Sequence, residues 1–285
     1  MNYFTMGYWV LGLAFGVSAA GAVVALACIR QSTLSVTARF RMVWLTAAAV
    51  SIGGVGTWLA VYVSMLGIGV SSGEVRYDVT RLVVGAVIAV AGVLAGLVIA
   101  GRAGALPRVV GGGVVMGVGI GVMHMLAMGA IRVRGSVEVN IWLSLAAAVL
   151  AVAASVGLVW ATTRLRAMVA LAGVALLYAL AVTAMHYLGQ AGVHVDLDAA
   201  VGQPTGEDLF TLFVPVFVMG TLSLAVPITA VLVAPDRTGT TRSRQLAQAA
   251  QAAKNAAAQG NSVAGGSAGG QAPARPTGRT PQPVG

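Results

Sequence analysis

Met185-His186-Tyr187 and its near copy Met123-His124-Met125 lie sixty-two residues apart, and sixty-three residues before the second stands Ala60-Val61-Tyr62, with valine at the histidine position. On these offsets Gly54-Val55-Gly56 falls on Gly117-Val118-Gly119 and Met65 falls on Met128, so the likeness extends over whole segments. The chain reads as a threefold internal repeat. A period of this length is too long for a helical solenoid but suits one membrane helix out, a turn, one helix back and a turn. Equivalent residues then return at one membrane depth on helices of like direction, and parallel repeats of this kind surround an axis along the membrane normal.

Composition excludes an ordinary soluble domain. Of the 285 residues, 58% are hydrophobic and only 9% charged, with a mean hydropathy of +0.89. The lone Cys28 offers neither a disulfide framework nor a cysteine metal cluster. The first apolar run has no basic leader before it and no clear Ala-x-Ala site after it, so a retained span is expected rather than a signal peptide.

Apolar stretches long enough to cross a bilayer run from Met6 to Ile29, Met42 to Gly69, Leu82 to Gly101, Val109 to Ile131, Val139 to Ala161, Met168 to Gly189 and Leu209 to Val233. The expected fold is an all-α, polytopic seven-transmembrane-helix bundle with internal two-helix repeats: a pseudo-threefold six-helix core plus an extra first helix. With the amino terminus outside, Arg30, Arg39, Arg41, Arg102, Arg108, Arg164 and Arg166 fall in inner loops, and Arg76, Arg81, Arg132 and Arg134 outside. The acids Glu74, Asp78, Glu138, Asp196, Asp198, Glu207 and Asp208 fall outside, leaving Asp236 inside. The net charge of +9 therefore reads as topology, with the lipid bilayer and its anionic headgroups as partner and no nucleic acid implied.

Two regions follow: a membrane domain over 1–234 and a cytoplasmic tail over 235–285. After Ala234-Pro235 the composition turns to Arg, Gln, Ala, Gly, Ser and Pro. Gln245 to Ala258 is Ala/Gln-rich and a weak helix former, while the remainder is too poor in apolar residues to offset chain entropy and is expected to be disordered. No appended catalytic domain is expected, and the chain is not expected to be an enzyme. Gly111-Gly112-Gly113 and Gly117-x-Gly119-x-Gly121 sit in a transmembrane helix with no preceding strand and no following Lys-Ser/Thr, which favours close helix packing over phosphate binding. Pro215 and Pro227 are candidates for kinks in the seventh span. The outer segment from Gln190 to Asp208 is read first as a solvated loop, and second as a cation-recruiting one.

Residues four apart share a helix face, which pairs His124 with Met128, His186 with Gln190, and in the first copy Val61 with Met65. Met123, Met125 and Met185 lie beside them. The candidate metal ligands are His124, His186, Met128, Met65, Met123 and Met185. Imidazole suits copper, iron and zinc, whereas thioether selects Cu(I), so copper is the metal that uses the whole set. His124 precedes Arg132 by eight residues and His186 precedes Asp196 by ten, which places both roughly 12–15 Å of helix rise from the first outer charge. An ionisable residue at that depth is a functional hypothesis by default. The competing reading is a neutral histidine that hydrogen-bonds between helices, with methionine as adaptable core.

The chain resembles the MHYT-domain family of bacterial integral membrane sensors over roughly Trp9 to Val233. The resemblance rests on Met185-His186-Tyr187, on Met123-His124 with Met128, and on Gly53-Gly54-Val55-Gly56 with Trp58 and Met65. It implies Met-His-Tyr-Thr-like motifs near the outer ends of three of seven helices, proposed to hold copper and to sense oxygen, carbon monoxide or nitric oxide. The chain departs from that pattern at Ala60-Val61, Met125-Leu126, Leu188 and Gln190, so one histidine and one methionine of the family set are missing, with His194 a substitute from the outer loop. The function implied is a sensor or signalling module of the bacterial plasma membrane, amino terminus outside and carboxy terminus cytoplasmic, acting on a separate signalling partner. A small-solute or metal transporter, a bis-histidine haem protein and a degenerate structural protein without metal remain as alternatives. The oligomeric state stays open.

Overall fold

The computed structural model describes residues 5–69, 74–102, 104–165, 167–198, 200, 202–233 and 247–255. The chain divides into two units, Met1–Val233 and Ala234–Gly285. In the second, residues 247–255 are helical; the rest of the tail, for which disorder is expected, lies outside the described residues.

The first unit is a seven-helix membrane bundle. Among the described residues, seven helices are long and apolar enough to cross a membrane. They are α1 (Trp9–Leu34), the continuous span Ala38–Met65, α4 (Val79–Ala100), α5 (Leu106–Met128), α6 (Ile141–Arg164), α7 (Met168–Ala191) and α8 (Leu209–Val233). The second span comprises α2 (Ala38–Ala49), a π-helical segment (Val50–Leu59) and α3 (Ala60–Met65). It starts four residues before the expected Met42, because Thr37 accepts a hydrogen bond from the Phe40 N–H and opens the helix there. Arg39 and Arg41 thus belong to its first turn. Likewise Pro107 in the first turn of α5 brings Arg108 onto that helix.

The π-helical segment was not legible in the sequence. Thr57 Oγ1 donates to Ile52 O at 2.7 Å, five residues back, and Gly53, Gly54 and Gly56 leave room for backbone contact on several sides. A Cβ at Gly53 would press on Ala89 of α4 at 2.9 Å. Such segments re-phase the turns that follow, here α3 with the first motif copy.

The return helices of the repeat begin alike. Asp78 accepts from Arg81 N, Asn140 from Trp142 N and Leu143 N, and Asp208 from Phe210 N. A side-chain oxygen therefore caps α4, α6 and α8 at corresponding points. The connections at this end hold short strands that form a cap over the motif helices. β1 (Arg76–Tyr77) pairs antiparallel with β2 (Ile131–Arg132), and β3 (Gly135–Val139) with β4 (Val193–Leu197). Two of these capping residues also donate their own N–H to the end of the next motif helix, Asp78 to Ala130 O at 2.9 Å and Asn140 to Gly192 O at 2.8 Å. Tyr77 and Glu207 exchange backbone hydrogen bonds, joining the third copy to the first, while Gly67 accepts from Thr5 near the amino terminus. The segment read first as a solvated loop thus carries strand β4, because alternating Val193, Val195 and Leu197 match Val139, Val137 and Gly135 across the ladder.

One expectation is reversed. α4 packs between the second span and α5, and α6 between α5 and α7, but α1 rather than α8 packs between α7 and the second span. The first helix is therefore part of the ring and α8 lies outside it, with only 11% of its apolar stretch buried against 50% for α1. Small residues explain the exchange. A Cβ at Gly21 of α1 would stand 2.5 Å from Gly56 N, so these backbones touch, whereas α8 presents bulky Leu, Phe and Val and contains Pro215 and Pro227. Glycines also set the α4–α5 contact through Gly92–Gly119 and Gly96–Gly112, and the α5–α6 contact through Gly113 and Gly117 against Val156 and Val152. Gly112, Gly113, Gly117 and Gly119 are thus packing positions.

Candidate functional site

The first, second and third motif copies lie on α3, α5 and α7, which touch one another in pairs. His124 and His186 meet between α5 and α7, with ring centroids 5.6 Å apart in an edge-to-face arrangement. His124 is 3% exposed and His186 1%. The His124 ring also faces the backbone of His186. Gly189, one turn beyond His186, is what lets the helices approach: a Cβ there would overlap Cε1 of His124 and stand 3.0 Å from its Nε2.

Polar atoms in this region are buried without hydrogen-bond partners. They are Nε2 of His124, Nδ1 and Nε2 of His186, and both amide atoms of Gln190. Each such atom costs on the order of 1–3 kcal/mol if left bare, so this concentration calls for a guest. Gln190 is wholly buried and occupies the face of α7 that carries His186, as the four-residue spacing implies.

The remaining sequence candidates separate. Met65 and Met128 are buried at the ends of α3 and α5. Met65 O accepts from the Tyr77 hydroxyl at 3.3 Å, tying the first motif to the cap; burial, reinforced by Asp208 and Tyr62, pushes that phenol up from its ordinary value. Met128 helps wall a cavity of about 270 Å³ shared with Arg81 and Arg132 of the cap end. Met185 is buried in the same turn as His186. Met123 is buried with its Cγ against Gly85 of α4, and Met125 is 48% exposed on the lipid-facing side. His194 is not brought to the histidine pair: it is exposed on β4 opposite Glu138, with Nδ1 3.3 Å from Gly192 O. Val61, which holds the histidine position of the first repeat copy, is buried on α3.

Sequence reading missed the residues that brace this arrangement. Tyr178 of α7 and Thr57 of the π-helical segment share a buried hydrogen bond of 3.0 Å. Tyr62 donates to Leu209 O at 3.1 Å, Trp58 Nε1 donates to Leu82 O at 2.8 Å, and the Tyr187 hydroxyl faces Ser64. Hydroxyl and indole groups at helical spacing read as ordinary core until their partners on other spans are known. Among the described residues there is no group of three or more His, Cys, Asp and Glu side chains fit to hold a metal ion. Any metal here would take two imidazoles and complete its shell from thioether, amide, backbone or water, which matches a soft or borderline ion.

The profile of the MHYT family, a bacterial signalling protein N-terminal repeat, matches residues 54–113 and again 117–175. Over these two stretches the chain is similar to the MHYT repeat. The two matched stretches span the first motif helix with its return, then the second, and end inside α7 before His186. No curated protein and no solved structure matches the chain significantly. Seven apolar spans together with the MHYT repeats make it a multi-pass membrane protein and a membrane signalling module.

Proposed function

We propose that this MHYT module senses a diatomic gas or a redox change through copper held near the cap end of the bundle by His124 and His186. Met65 and Met128 are the proposed thioether donors, and Gln190 an amide donor in the place of a methionine. The observation that carries this reading is the set of unpartnered nitrogen and oxygen atoms on His124, His186 and Gln190, buried between converging helices. Imidazole and thioether together favour copper over harder ions. Copper bound there would supply a position for a small ligand or a one-electron change.

The protein's own part is to turn an event at this site into a shift between helices. A signal requires that the two arrangements differ in affinity for the stimulus, and α3, α5 and α7 are the elements whose packing the site joins. The backbone bonds of the cap fix the helix ends, while the Thr57–Tyr178 bond connects the site's helices to the π-helical segment. The arginine-rich end is proposed as cytoplasmic, with the amino terminus outside in a bacterial plasma membrane and a separate signalling protein as receiver. The positive-inside bias supports this orientation.

Metal content of the purified protein, of His124→Ala and of His186→Ala decides the matter. Copper is expected in the wild type and largely lost from each variant. A metal-free wild type that takes up no copper on titration would leave the alternative in which the two imidazoles serve only to bridge helices.

A further inference from the structure

At the end of the bundle opposite the cap, Arg41 of α2 lies within electrostatic reach of Arg102 and Arg108. Arg102 donates to Ser35 O at 2.6 Å and Arg108 to Ile99 O at 2.9 Å, so these two have backbone partners, but the buried Nε of Arg41 has none. The ion pairs among the described residues, Glu74–Arg76, Asp78–Arg81 and Asp78–Arg132, all lie at the cap end. No described carboxylate accompanies the arginines here, and three like charges gathered at one end of the spans attract an anionic counterion.

Arg41 and Arg102 face a cavity of about 170 Å³, walled also by Ser32, Thr33, Thr162 and Thr163, far above the roughly 10–15 Å³ that one water needs. A small pocket of about 30 Å³ at Arg30 has Ile29, Thr33 and Thr162 in common with the walls of this cavity. Through Leu26, Arg30 and Leu171 it also shares walls with an apolar groove of about 90 Å³ between α1 and α7. That groove opens on the lipid-facing flank, where Val23 is 47% and Met168 60% exposed. Apolar groove, the small pocket at Arg30 and the polar basic cavity thus adjoin in series, a track from the lipid-facing flank to the basic end.

We infer that this track is a binding site for an anionic phospholipid, its acyl chain in the α1–α7 groove and its phosphate-bearing headgroup among Arg41, Arg102 and the hydroxyls of the cavity. A free phosphate would satisfy the arginines but leave the groove unused; a phospholipid uses both. Basic pockets between membrane helices recognise lipid headgroups in this way, and each arginine near an anionic headgroup is worth about fivefold in affinity. The site stands apart from the histidine pair and does not depend on copper.

The test uses the full chain reconstituted in phosphatidylcholine vesicles with and without phosphatidylglycerol, extracted in mild detergent and examined by native mass spectrometry for retained lipid. Wild type is expected to retain phosphatidylglycerol in preference to phosphatidylcholine. Arg41→Gln with Arg102→Gln should lose about fivefold for each arginine, and Arg41→Lys, which keeps the charge, should lose less. Ala172→Trp, on the exposed wall of the groove, should also lose retention, whereas Arg39→Gln, exposed and outside the cavity, should not. Inorganic phosphate should not displace the retained lipid. Equal retention of both lipids by the wild type, full retention by Ala172→Trp, or an Arg39→Gln effect equal to that of Arg41→Gln would overturn the assignment. Displacement by inorganic phosphate would overturn it in favour of a free anion.

Discussion

Gly189 of α7 lies against the imidazole of His124 on α5, so closely that a methyl group at position 189 would overlap ring atom Cε1. The absence of a side chain at one motif helix therefore sets the position of the histidine on the next. Gly189→Ala should push the ring aside or part the helices, at a cost of about 1–3 kcal/mol for overpacking, and should reduce bound metal with it. Thermal unfolding and metal content of Gly189→Ala, compared with His124→Ala and the double variant, check this. Because the clash is with His124 itself, the double variant should be no less stable than His124→Ala. A Gly189→Ala protein that melts and binds metal as the wild type does would refute the contact.

Gln190 gives a second test, in which stability and ligand binding part company. Its amide is fully buried and neither polar atom has a protein partner. Methionine is of similar length and is the residue the family pattern places there. In metal-free protein Gln190→Met should raise stability by on the order of 1–3 kcal/mol, the penalty of the bare polar group. With copper added, the same variant should bind more tightly, since a thioether replaces a weak amide donor. Paired chemical-denaturation and copper-titration series measure both. A loss of stability in the metal-free state would mean that the amide has a partner the structure does not record.

Much of the fold was legible because lipid imposes simple rules. Seven apolar runs, the segregation of acids to one end and the sixty-residue recurrence gave the spans and the convergence of His124 with His186, since equal spacing from like loops gives like depth. What the sequence hid depends on packing between spans. Nothing in Trp9–Leu34 announces that α1 rather than α8 completes the ring; that follows from Gly21 meeting Gly56. The strand β4 was hidden because five residues between a helix and an acidic loop have no pattern distinct from a loop until β3 pairs with them. Gly189 and Gln190 were legible as positions, but their weight came only from the His124 ring against the one and the unpartnered buried amide of the other.

The cap should weaken in acid, and the cause is local to Asp78. The Arg81 backbone N–H first, and then the Arg132 guanidinium, hold this carboxyl below the usual carboxylate range. A depressed carboxyl contributes stability that is present above its unfolded value of about 3.9 and is lost as pH falls through the folded value. Wild-type melting temperature should therefore fall as pH drops below about 4. Asp78→Asn keeps a side-chain oxygen at the start of α4 but has no proton to gain, so its melting curve should respond less over that window. Equal acid sensitivity in the two proteins would assign the effect to other carboxylates.

Orientation is the remaining question that a direct measurement answers. Arg30, Arg39, Arg41, Arg102, Arg108 and Arg164 collect at one end of the spans, and the acids of the described cap, among them Asp78, Glu138, Asp196, Asp198, Glu207 and Asp208, at the other. On the positive-inside bias the expected outcome is the arginine-rich end in the cytoplasm and the cap, with the histidine pair beneath it, outside. Reporter fusions after Gly73, Arg102, Gly135, Arg164, Gly202 and Thr240 should alternate outside, inside, outside, inside, outside, inside. Because β3 and β4 pair at the cap end, fusions at Gly135 and Gly202 must report the same side whatever the absolute orientation. Opposite signals from those two would break the seven-span topology, while a uniform inversion of all six would keep the bundle and place the histidine site near the cytoplasmic face.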